Sequence, residues 1–329
     1  PLVSPSEPPR MLDVAMPMFA PQRSAARALA ARAMLRAGEG KLDAAAGDLL
    51  AIRRLARMLG ERAMLIDHLV AISIDALASQ GLERLAVCGR LSGKQACALV
   101  KRLEEVRPMR PLAEVMDEGE RFFMLDSLAH LTPRELIALQ GGRREKKQAL
   151  VALPYDRNIL LRVFNDRIDG VVRAMRLQDP RARQHALEAI EKAITDREAV
   201  TSPGAIAAGT ALRALTLGPA RAKRFCSHRL AGLLTRALMP PLMTAQELSL
   251  SAKASADIAR TTLALTAYKA ERGAYPRGLA ALCPRYLKAV PRDPFAKGPL
   301  TYRRVRDGYV LYSIGADLVN HCVNDILVQ

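Results

Sequence analysis

Within residues 263–329 the chain leaves the helical period that governs what precedes it, and this change limits the fold most. Leu263, Leu265, Ala267 and Tyr268 belong to a helical stretch that runs into Glu271-Arg272-Gly273-Ala274-Tyr275-Pro276. Gly273 is placed to close that helix in a left-handed conformation, and Pro276 bars its resumption. Residues 290–295, Val-Pro-Arg-Asp-Pro-Phe, predict a rigid proline turn. Two alternating segments, 300–304 and 309–314, flank Arg306-Asp307-Gly308, which predicts an antiparallel hairpin. A last strand over 326–328 is expected to close a small sheet.

Ahead of this tail the chain is rich in Ala, Leu and Arg. Aromatics make up 4% of the 329 residues, Trp is absent, and six of the seven Tyr lie in the tail. Such a composition suits packed helices better than sheets. Residues 1–21 hold six prolines and predict an extended, Pro-rich leading segment. Ala26, Leu29, Ala30, Ala33 and Met34 then recur at helical spacing, and Gly38 and Gly40 punctuate. Ala45, Leu49, Ile52, Leu55, Ala56 and Leu59 form a second stripe. The pair resembles a tetratricopeptide-like helical hairpin. No second copy recurs at a fixed period, so an irregular helical array is expected. Further helices are predicted over 61–85, over 93–106 behind a capping box at Ser92, and over 112–131. Others follow from Thr132-Pro133 to Gln140, over 154–177, from Asp179-Pro180 to Ile194, and over 205–217, 220–238 and 246–272. The fold class expected is mainly α, with a small C-terminal α+β domain containing a short antiparallel sheet. Its expected divisions are 1–21 (leading segment), 22–245 (helical domain) and 246–329 (long helix plus head).

Lys and Arg total 50 against 33 Asp and Glu, a net charge of +17. From residue 251 onward there are 12 basic and 6 acidic residues, so the excess is spread through the chain. A solvated Arg-rich surface accounts for this; attraction to nucleic acid or anionic lipid is the sharper reading. The clusters Arg143, Arg144, Lys146, Lys147 and Arg221, Lys223, Arg224, Arg229 are the candidate anion-binding residues. Without interleaved aromatics they suggest phosphate attraction rather than base stacking. Five Cys occur, none in a CxxC pair, which disfavours zinc. Cys283 and Cys322 could form one disulfide; isolated thiols are the other reading. No uninterrupted apolar run approaches the length of a membrane span.

Catalytic constellations are sparse. His68, His130, His185, His228 and His321 show no metal-binding spacing, and His68 reads as a satisfied residue on a helix surface. Glu118, Glu120 and Asp126 share one helix, and Asp166 and Asp169 share a face of another. Such carboxylates could serve hydrolysis, with Glu118 or Asp126 opposite Asp166. Pairing with Arg121, Arg162 or Arg173 is the structural alternative. Nucleophile elbows, P-loops and dinucleotide-binding glycine patterns are absent.

The segments AYKAERGAYP, LAALCPRYLKAVPRDPF and YRRVRDGYVLYSIGAD together resemble the globular head of the type II secretion major pseudopilin. That resemblance implies a calcium ion in the loop after the hairpin, held here by Asp317, Asn320, Asn324 and Asp325. Turn capping is the alternative role for Asp317 and Asp325. A filament subunit is not implied, because the module stands at the C-terminal end of the chain. GERFFMLDSLAHL and YDRNILLRVFNDRIDGVVRAMRL extend a second resemblance, to uncharacterised envelope-associated proteins of planctomycete-type bacteria. It implies an extracytoplasmic setting with a signal or anchor upstream of Pro1, and envelope proteins as partners. The expected role is a non-enzymatic interaction or scaffold protein. A carboxylate hydrolase of the envelope and a nonspecific binder of anionic polymer are the alternatives.

Overall fold

The computed structural model describes residues 19–62, 64–130, 154–195, 203–238, 241–306 and 308–315. Helices dominate: α1 (Ala20–Gly38), α2 (Leu42–Gly60), α3 (Leu65–Val87), α4 (Gly93–Glu105) and a short α5 (Leu112–Glu114). A π turn, Val115–Glu120, leads into α6 (Arg121–Ala129). Then come α7 (Arg157–Met175), α8 (Pro180–Thr195), α9 (Pro203–Leu217), α10 (Pro219–Leu238) and α11 (Leu242–Arg272). A 3-10 turn, Leu279–Leu282, precedes strands β1 (Thr301–Arg304) and β2 (Tyr309–Tyr312). The helix expected from Thr132, the third strand over 326–328 and the leading segment over 1–18 lie outside the described residues.

Two compact units result, and they cut the chain differently from the expected order. One joins Met18–Leu112 to Gln246–Gln329, and the other contains Ala113–Ala245. The expected helical domain 22–245 is therefore divided after Leu112. Its first part shares a unit with the C-terminal segment.

In the joined unit, α1, α2 and α3 pack together. Fully buried Leu49, Leu50, Ile52 and Ala56 of α2 face a core that includes Ile74, Ala78 and Leu82 of α3. The same core takes in Leu99 and Val100 of α4, Leu263, Leu265 and Ala267 of α11, and Leu282, Tyr286, Tyr309 and Leu311 of the tail. Each such Leu or Ile contributes roughly 1.5–3 kcal/mol through burial. Gly81 permits the close approach of α3 to α2: a Cβ there would lie 2.3 Å from Leu49 Cδ2. Ser92 and Gln95 form the expected capping box on α4.

Ion pairs between successive helices follow one pattern. Arg32 and Arg36, one turn apart on α1, both donate to Asp48 of α2, at 2.7 and 2.8 Å. Arg53 and Arg57, one turn apart on α2, both reach Asp75 of α3, at 3.1 Å each. A pair of arginines with one helical turn between them presents both guanidiniums to the same neighbour.

α3 is long and apolar enough to cross a membrane by length and composition. Most of it is nevertheless buried in the protein's own core, and Asp67, His68 and Asp75 are buried along it. Asp75 is paired there with Arg53 and Arg57, as a charge inside a protein core must be.

At the C-terminal end of α11, Gly273 takes φ +78°, the left-handed closure expected of it. Tyr275 and Tyr309 meet edge to face with centroids 4.8 Å apart. The two strands are antiparallel, with Thr301 opposite Tyr312 and Arg304 opposite Tyr309. Asp293, 2% exposed, accepts from Phe295 N, Ser313 Oγ and Ile314 N, at 2.9, 2.7 and 3.0 Å. It thereby ties the proline turn to the end of β2.

The Ala113–Ala245 unit is built on α7, whose Leu160, Phe164, Ile168 and Val171 are buried at helical spacing. Asp156 caps α7 by accepting from Asn158 N and Ile159 N. α6, α8 and α10 pack against α7, and α9 packs against α10. The π turn replaces part of the continuous helix expected over 112–131, and Val115, Met116 and Gly119 within it are buried.

Candidate functional site

α9 and α10 form a tight hairpin. Gly218 turns the chain at φ +86°, and Pro219 opens α10 at a position where no helical N–H is needed. Ala222, Cys226, Leu230 and Leu234 recur every four residues and are buried. That spacing leaves Arg221, Lys223, Arg224 and His228 exposed, with Arg229 half-buried. The four cations predicted from α10 are thus brought together on one helix. Burial pushes the Cys226 thiol up, which makes it inert as a nucleophile at neutral pH.

One expectation about this cluster needs correction, because an aromatic does interleave it. Phe225 carries the Arg213 guanidinium of α9 3.7 Å above its ring centroid, and Arg229 lies 5.4 Å from the same centroid. The ring's negative face holds two cations that would otherwise repel. Gly209 makes the room, since a Cβ there would sit 2.9 Å from Phe225 Cε1. The Asp156 carboxylate lies 3.8 Å from Lys223 Nζ. Residues 199–246 contain no Asp or Glu but six Lys and Arg. That run of one sign was readable and is a stronger signal than the cluster alone.

Arg143, Arg144, Lys146 and Lys147 lie outside the described residues, as do Asp317, Asn320, Asn324, Asp325 and Cys322. Among the described residues no group of three or more His, Cys, Asp or Glu converges as a metal site.

The carboxylates offered for hydrolysis are dispersed over different settings. Arg121 pairs with Asp117 at 2.6 Å and Asp169 at 2.7 Å, and Arg176 adds a 2.7 Å bond to Asp117. These pairs hold the Asp117 carboxyl below its ordinary range despite the opposing cost of its partial desolvation. Asp126 pairs with His130 at 3.2 Å, and Glu118 and Asp166 are exposed. The geometry ties α6 and the π turn to α7, with Arg121 bridging Asp117 and Asp169.

The strongest buried polar centre was missed from the sequence. Arg53 and Asp75 are 4% and 3% exposed, and Arg53 also donates to Ser79 Oγ at 2.7 Å. Burial lowers the Arg53 pKa, against the pull of Asp75. Nearby, burial pushes Glu83 up to about 7. His68, expected on a helix surface, is 0% exposed, with Nε2 3.4 Å from Ser249 Oγ. Burial, with Arg110 and Arg57 adding, brings its pKa down to about 4. The signal was polar residues at matching spacing inside apolar runs: Arg53 and Arg57 on α2, Asp75 and Ser79 on α3. Chemically this centre fixes helix register: Arg53 and Arg57 of α2 share the Asp75 carboxylate of α3.

No protein family, curated protein or solved structure matches the chain.

Proposed function

We propose that this is a non-enzymatic scaffold protein of the cell envelope. Tetratricopeptide-like helical packing would present a pseudopilin-like head to partner proteins, among them components of a secretion system. The observation that carries this reading is the single core uniting α1–α4 with α11 and the tail. A head rooted through Tyr286, Tyr309 and Leu311 in the same core as Leu49 and Leu82 moves with the helices that hold it. That rigidity suits a docking body whose partners bind at fixed spacing.

Leu35 and Met58, 63% and 72% exposed on α1 and α2, offer apolar purchase for such partners. A photo-crosslinking residue placed at either position, in cells that carry a type II secretion system, should give discrete adducts in the envelope fraction. Recovery of the chain from the cytosol without adducts would overturn the proposal.

A further inference from the structure

The tip of the α9–α10 hairpin combines two properties that a water-exposed surface does not need together. Leu212, Leu215 and Leu217 are 59%, 87% and 49% exposed. Ala211, Ala214, Pro219 and Ala220 around them are exposed as well. Immediately behind this apolar tip come Arg221, Lys223 and Arg224, all exposed. At 1.5 Å of rise per residue, Arg224 stands only about 8 Å along α10 from Pro219. No carboxylate occurs between residues 199 and 246; Asp156, from just ahead of α7, lies 3.8 Å from Lys223 Nζ and offsets that one cation in part.

We propose that this hairpin tip docks onto the surface of an anionic lipid bilayer. Leu212, Leu215 and Leu217 enter the interface, and Arg221, Lys223 and Arg224 meet the lipid phosphates. Leu217 and Pro219 lead the tip, and Leu215 and Leu212 stand about level with Arg221 and Arg224 across the turn at Gly218, so apolar and cationic side chains share the roughly 5–10 Å over which an interfacial segment meets both acyl chains and headgroups. Charge complementarity selects the lipid: a bilayer rich in anionic headgroups provides phosphates and an apolar phase side by side. A nucleic acid provides phosphates and would leave three leucines in water. Arg213 and Arg229 stay on Phe225 and stiffen the hairpin. The inference does not depend on the scaffold reading, since it concerns other helices and another ligand.

Because the chain has no Trp, Leu215→Trp places its one tryptophan at the tip, where excitation beyond the tyrosine absorption band reads it alone. The emission should shift to the blue when the full chain meets vesicles of phosphatidylcholine with phosphatidylglycerol, and stay unchanged with phosphatidylcholine alone. Sedimentation with the same vesicles is the second measurement. Each basic residue near such a surface is worth about fivefold in partitioning. Arg221→Gln, Lys223→Gln and Arg224→Gln combined should therefore weaken binding on the order of 100-fold. Leu212→Asn with Leu215→Asn should remove the binding that survives high salt. These positions are exposed, and an unchanged helical circular dichroism spectrum checks the fold of each variant. An unshifted emission in phosphatidylglycerol, equal binding to both vesicle types, or binding of single-stranded RNA that ignores the leucine changes would overturn the proposal.

Discussion

Asp75→Ala tests the buried ion pairs directly. In the parent, Asp75 accepts from Arg53 at 3.1 Å and from Arg57 at 3.3 Å. Removing the carboxylate leaves Arg53 its 2.7 Å bond to Ser79 Oγ and takes away the carboxylate to which its Nε is bonded. Arg57 is less affected, because its Nε still donates to Arg107 O at 2.8 Å. Stranding a buried charge in this way costs about 3–5 kcal/mol. Arg53→Met combined with Asp75→Leu removes both charges and should come within about 1–2 kcal/mol of the parent. Urea denaturation followed by tyrosine near-ultraviolet dichroism is the assay. Six of the seven Tyr lie in Gln246–Gln329, so the signal reports the unit that contains Asp75. A loss below about 1 kcal/mol, the value of a solvent-screened pair, would refute the claim that the network is buried and essential.

Four further variants test the same unit. Glu83 is raised from 4.5 to about 7, so its contribution to stability is full below pH 4.5 and is lost as pH rises through 7. Relative to the parent, Glu83→Gln should match at pH 4 and gain about 3 kcal/mol by pH 8. His68 is lowered from 6.5 to about 4, so its contribution is present above 6.5 and lost as pH falls through 4. The difference between His68→Asn and the parent should change in the opposite direction, favouring the variant on acidification. Asp67 and Asp257, also raised by burial, are common to both comparisons and drop out. Stability curves at several pH values check both signs. Gly81→Ala should cost roughly 1–3 kcal/mol, because its Cβ meets the buried Leu49 side chain. Gly47→Ala has open space within 4 Å and should stabilise α2 by about 0.5–1 kcal/mol, measured by thermal melting.

Local chemistry made much of the helical array legible. The capping box at Ser92 and Gln95, the left-handed Gly273 and the antiparallel pairing across residue 308 follow from residues within a few positions of each other. Assembly was less legible. Periodicity describes which face of a helix is apolar, not which distant helix covers it. Joining Met18–Leu112 to Gln246–Gln329 therefore escaped a reading made in chain order. Arg53 and Asp75 were visible as polar interruptions, but their pairing depends on the register of α2 against α3. His68 was misplaced for a similar reason, since α3 is covered on more sides than an amphipathic pattern suggests. The basic character of α10 could be read directly. Its aromatic partner Phe225 was overlooked although it follows Arg224, because the arginine that covers it most closely, Arg213, comes from the preceding helix.

Amide hydrogen exchange on the full chain tests most directly whether α1–α4, α11 and the strands share one core. The slowest amides of α2, α3, residues 258–268 and β2 should open with one common free energy, within about 1 kcal/mol. Asp75→Ala should lower all of them together. Retention of parent-level protection in β2 and residues 258–268, while α2 and α3 lose theirs, would contradict a shared core.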